Sequence, residues 1–248
     1  MSVVWIALLL GQEIRVEPRT AVGAWWIDGS IRFDEKPAVG DRLDVRDDLD
    51  WSDPAVRFGV GLNLSADRHV AGFSVGWARF RGSTRFDAPT IWNESLFPPG
   101  AAVRTRMDVF DSSVDYRYAV ADADALRIEA GVSARYLRFH LETRTPSLPD
   151  DDDNLGAFVP GLDARALWRL GAGVTAEGGL SGTAFSASGL RARTWTVRIG
   201  ARWKASSAVE IGIGVEGGAL SLTSEDPRQR NEIDLRGILP ELSVALAF

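Results

Sequence analysis

Two histidines, a scatter of serines and two acidic runs are the residues of this chain whose types could do chemistry. His69 sits in a short turn, and His140 is followed two places on by Glu142. A histidine beside an acid can serve as a general base, and beside a serine it can activate a nucleophile, when a third group orients it. A lone His-x-Glu is a weak signal, and no serine stands at the corresponding spacing. Arg138 occupies the place two before His140, and Ser112, Ser113 and Ser133 have no base evident in the sequence. The runs Asp44–Asp53 and Asp150–Asp153 offer oxygen ligands to a hard divalent cation. They lack the spacing and turn glycine of an EF-hand loop, and read as solvated acidic loops. No catalytic residue, metal ligand or cofactor follows, and the chain leans to a non-enzymatic role. A rim enzyme near His140, lipid-modifying or proteolytic, is the alternative.

Composition narrows the classes further. The chain has 248 residues, a formal net charge of −6 and no cysteine. The acidity argues against nucleic acid, which attracts a basic face. Without cysteine there is no disulfide scaffold and no thiol catalysis. No apolar run reaches the roughly 20 residues of a spanning helix. Met1–Leu10 is apolar and looks like the hydrophobic core of a secretory signal peptide, although no basic residue precedes it. Residues 1–11 are therefore set aside as a signal remnant, and residues 12–248 are taken as a single domain.

What must position any functional side chain is a series of long alternating segments. The clearest is the last, where Ile238, Leu242, Val244, Leu246 and Phe248 alternate with Glu241, Ser243, Ala245 and Ala247. Period two is the mark of a β-strand with two chemically different faces. Counting such segments along the chain predicts strands near residues 21–34, 55–64, 70–81, 103–120, 126–143, 159–170, 174–185, 190–203 and 209–216, and over the final stretch. Two of them change phase. Val103, Met107 and Val109 give way to Phe110, Val114, Tyr116 and Tyr118, which predicts a bulge near Val109. The other shift falls at Leu137–Phe139. Strands of this length exceed the usual 5–6 residues of soluble proteins and match membrane-spanning strands with overhang. Short connections at Ser65–His69, Ala121–Ala125, Gly171–Gly173 and Lys204–Ala208 alternate with longer ones, including a third long loop holding Asp150–Asp153.

The final alternating strand, closed by Phe248, resembles the C-terminal signature of bacterial outer-membrane β-barrel proteins, and the hairpin pattern extends that resemblance over the chain beyond residue 11. The resemblance implies an all-β fold, a transmembrane up-and-down antiparallel β-barrel of about ten strands, with eight or twelve as an error of one hairpin. It implies a bacterial outer-membrane location. Its partners would be outer-membrane lipid and lipopolysaccharide, together with a barrel-assembly machinery that reads Leu242, Val244, Leu246 and Phe248. Ten strands are also the number of the omptin proteases, which use paired Asp residues and an Asp-His couple at the outer rim. The likeness is one of strand number only, so that activity is not carried over.

The alternation can place its apolar face toward lipid or, as in a soluble barrel holding an apolar ligand, toward the middle. Aromatic residues near strand ends favour lipid: Tyr116, Tyr118, Trp168 and Trp203 by short turns, and Trp77, Tyr136 and Trp195 toward the other end. The opposite face then lines a narrow lumen, where charges need partners. Symmetric hairpins would set Arg117 opposite Glu129, Asp111 opposite Arg135 and Arg202 opposite Glu210, with Arg165 and Arg169 flanking Glu177. The expected pore lining is an ion-pair network of Asp111, Asp115, Arg117, Glu129, Arg135, Asp163, Arg165, Arg169, Glu177, Arg198, Arg202, Glu210 and Glu216. The expected role is structural, or that of a narrow small-solute pore.

Overall fold

The computed structural model describes residues 13–35, 40–92, 95–146, 148–225, 227 and 229–246. The expected signal remnant and Phe248 lie outside the described residues. Ten long strands form one antiparallel ring. They are β1 (Arg15–Glu35), β3 (Ala55–Ala66), β4 (His69–Arg85), β7 (Ala102–Asp122), β8 (Leu126–Thr145), β9 (Leu148–Gly171), β10 (Val174–Ala187), β11 (Leu190–Lys204), β12 (Val209–Glu225) and β13 (Gln229–Leu246). Sequential neighbours pair, and β13 returns to β1 to close the ring, with Val22 opposite Leu242 and Thr20 opposite Val244. Closure leaves no long edge strand open to aggregation. Three short strands are added at one end: β2 (Leu43–Asp44), pairing with β1, and a hairpin of β5 (Thr90–Trp92) and β6 (Ser95–Phe97).

In the half of the ring that holds Arg15 and Leu246, alternation gives an apolar outside and a polar inside. Trp195, Val197, Ile199 and Trp203 of β11 are exposed outward, as are Ile238, Leu242, Val244 and Leu246 of β13. On β7 this outer girdle runs from Phe110 to Val120, and a tilted strand covers about 25 Å of height over that length, the thickness of the apolar band of outer-membrane barrels. Trp77 lies at the girdle's upper edge with the guanidinium of Arg79 5.0 Å from its ring centre. An aromatic rim capped by a cation suits a membrane interface.

Beyond the girdle the chemistry inverts. Val103, Met107 and Val109 of β7 are buried inward, while Arg104, Arg106 and Asp108 face out. On β8, Leu137, Phe139 and Leu141 are buried, and Arg138, His140 and Glu142 face out. The bulge expected near Val109 and the shift expected at Leu137–Phe139 are both absent. Pairing of β7 with β4 is continuous from His69–Tyr118 to Arg85–Ala102. Its pairing with β8 shifts only near the opposite turn, between Ala119 and Ala121. The same backbone face points inward throughout; what changes is the solvent outside. Where lipid ends and water begins, the outward positions become charged and the inward ones apolar.

The ends of the strands depart from expectation in one more respect. Asp150–Asp153 belong to β9, with Asp152 opposite Glu142 and Asp153 opposite Leu141, so no long loop joins β8 to β9. On the same side β10 and β11 are linked through Ser188 and Gly189, whose φ values of 49° and 79° make the left-handed two-residue turn that fits strand twist.

Candidate functional site

The outer half of the ring is filled, and its filling comes largely from the segment expected to be a solvated acidic loop. Residues Asp44–Asp50 form a compact turn. The Asp44 carboxylate accepts from the backbone N–H groups of Arg46 and Asp47 at 2.8 and 3.0 Å, and Asp48 accepts from Asp44 N at 2.7 Å. The acids therefore cap backbone donors, as side chains of this type do in turns. That local closure turns Val45, Leu49 and Trp51 into the barrel, where each is at most 1% exposed. They pack with Ile31, Phe80, Val103 and Met107 of the wall, and with Trp92 and Phe97 of the β5–β6 hairpin, in one apolar cluster. Trp51 stacks near Phe80 at 6.2 Å, and its indole N–H donates to the Thr105 hydroxyl at 2.8 Å. Val45 N donates to the Gly29 carbonyl at 3.0 Å, and Ile91 N donates to the Asp41 carboxylate at 2.7 Å, tying the plug to β1 and to the hairpin. Gly82 of β4 permits this closure: a Cβ there would collide with the Leu49 carbonyl oxygen.

Beneath the plug, within the girdle, the inward side chains are ionic. Asp111 is shared by Arg57 at 2.9 Å and Arg135 at 3.5 Å. Arg117 lies 2.9 Å from Asp115 and 3.9 Å from Glu129, which also takes Arg127 at 2.8 Å. Glu177 sits between Arg165 at 2.5 Å and Arg202 at 3.3 Å, and Arg202 reaches Glu210 and Glu17 at 3.3 and 3.2 Å. Arg198 pairs with Glu216, and Arg19 with Glu241 at 3.1 Å. Voids of about 270 Å³ in the middle and 200 Å³ at the inner mouth lie among these groups. The buried charges named above persist in such a space because they are matched by opposite charges.

Twelve of the thirteen residues expected in this lining thus have an ionic neighbour, though not always in the expected register. Arg117 stands opposite Gly131 rather than Glu129, Asp111 opposite Leu137, and Arg202 opposite Gly212. The turns are not symmetric, and the long arginine arms make their pairs on the diagonal instead. Arg169 reaches Asp122 at 3.6 Å and the carbonyls of Ala123 and Asp124 at 3.0 Å, at the mouth, not Glu177. Asp163 points into the central void without an ion pair among the described residues. Arg15, Glu17, Arg19, Arg57, Arg127 and Glu241 extend the network and were not singled out from the sequence. The inward parity of Arg57 and Glu241 was readable; Arg19 precedes the point where alternation becomes clear.

The histidines lie elsewhere. His69 Nδ1 bonds the Tyr116 hydroxyl at 2.6 Å beside a short turn. His140 is on the outer wall, 3.1 Å from Asn154 and 3.4 Å from Glu142. Neither faces a cleft among the described residues, and no serine accompanies His140.

A closed ten-stranded ring with an apolar girdle and a polar interior is the fold of bacterial outer-membrane β-barrel proteins. No family model and no curated protein matches the sequence. Among solved structures, the chain is similar to the outer membrane protease OmpT from Escherichia coli, with a TM-score of 0.60 and 9% identity over 94% of this chain and 97% of that one. The translocator domain of the autotransporter NalP from Neisseria meningitidis aligns at a TM-score of 0.43 with 13% identity, covering 98% and 93% of the two chains. At 9% identity the likeness to OmpT is one of fold.

Proposed function

We propose that this protein is a closed, non-enzymatic barrel of the bacterial outer membrane, with a structural role and a sealed lumen. The observation that carries the reading is the double obstruction: an apolar plug built on Leu49 and Trp51 over a bed of paired charges. Open channels come with wider rings of about 16–18 strands. The exposed girdle supports a lipid location. Arg79 and Arg193, two residues above Trp77 and Trp195, are at the height of outer-leaflet headgroups, where lipopolysaccharide phosphates would meet them. Leu242, Val244 and Leu246 are outward at the seam between the last and first strands, which fits recognition by an assembly machinery. Reconstitution of the full chain in planar bilayers tests the closed state. It should give no steady conductance steps; discrete, long-lived openings would contradict it.

A further inference from the structure

The outward face above the girdle carries an uneven charge. On β4, β7 and β8 it presents Arg79, Arg81, Arg85, Arg104, Arg106, Arg138 and Arg144 against Asp108 and Glu142, in a chain that is acidic overall. The acids are taken up low on this face: Asp108 by Arg79 and Arg106 at 2.5 and 2.7 Å, and Glu142 by Arg106, Arg144 and His140. At the very rim, Ser83, Arg104 and Arg144 stand directly opposite one another on adjacent strands, with Arg85 beside them. Like charges directly across a strand pair repel. Arg85 and Arg104 have no ion pair among the described residues. These side chains, with Ser83, Thr84 and Thr145, line an open groove of about 460 Å³.

We propose that this groove binds an anionic polysaccharide, a sugar chain bearing sulfate, phosphate or carboxylate groups. Guanidinium forks grip such oxyanions in pairs. The lining holds hydroxyls but no aromatic or large aliphatic side chain, so it suits a sugar rather than an acidic peptide. Height excludes lipid phosphates as the source. Arg104 is six residues above Phe110, about 16 Å along the barrel axis, and headgroup layers are only about 5–8 Å thick.

The proposal rests on the membrane position given above, and its test separates the two. The full chain is refolded in an uncharged detergent and in zwitterionic nanodiscs, and binding of a fluorescent sulfated dextran fragment is measured. Equal affinity in both is expected, falling with salt. The double variant Arg85→Glu/Arg104→Glu should lose about tenfold or more in affinity. The control Arg191→Glu, on the far side of the ring, should stay within about twofold. The proposal is overturned by no binding, by equal loss in the control, or by equal affinity for a poly-glutamate peptide. Flotation with lipid vesicles reports the membrane position separately: a protein that fails to float refutes the barrel's placement, whatever the dextran result.

Discussion

Trp51 and Thr105 join a loop to the β7 wall of the barrel: the indole N–H donates to the hydroxyl across 2.8 Å, with both residues buried. The bond ties the plug to the wall. Replacing Trp51 by Ala removes a large, 1% exposed side chain and strands the hydroxyl. A loss of about 3–5 kcal/mol is expected, read by urea unfolding in micelles, together with new protease sensitivity within residues 41–54. Unchanged stability would show that the plug is not packed as described.

Gly82 makes a second test of the same closure. Because a Cβ there meets the Leu49 carbonyl, Gly82→Val should expel the loop while leaving the ring intact. Hydrogen exchange should quicken across residues 43–51, and heat-modifiable gel mobility, the mark of a folded barrel, should persist. Protection equal to that of the parent would mean that the loop sits elsewhere.

The charge network predicts strong asymmetry between single and double changes. Asp111 is buried and accepts from Arg57, so Asp111→Asn leaves two arginines short of a partner. It should cost about 3–5 kcal/mol, and Arg57→Met/Asp111→Leu should recover much of that. Additive losses in the double variant would argue against direct pairing.

On the girdle, depth sets the effect of a charge. Ile199, 68% exposed toward lipid, should lose about 2–4 kcal/mol when changed to Arg. An arginine at the outward position of Ser221, above the girdle on the adjacent strand, should be nearly neutral.

The fold was legible because alternation over long strands is redundant. Trp195, Val197 and Ile199 set one face of β11, and one exception would not have hidden it. The inversion was misread because the sequence cannot distinguish a backbone that changes phase from a solvent that does. Val109 and Phe110 look like a slipped register until the continuous pairing of β7 with its neighbours is seen. The plug was hidden for a related reason: the acids of residues 44–53 look solvated, yet Asp44 and Asp48 spend their oxygens on backbone N–H groups and carry Leu49 and Trp51 inward. The ionic lining was partly legible, since inward parity identifies Asp111 and Glu177, but which arginine reaches them depends on asymmetric turns.

Spin labels placed singly along the outer face of β7 test the inversion itself. At positions 114, 116 and 118, a lipid-soluble relaxant such as oxygen should dominate; at 104, 106 and 108, a water-soluble nickel chelate should. A change of sign near Phe110 is the result this account predicts. Lipid exposure continuing through Arg104, or water reaching Tyr116, would contradict it.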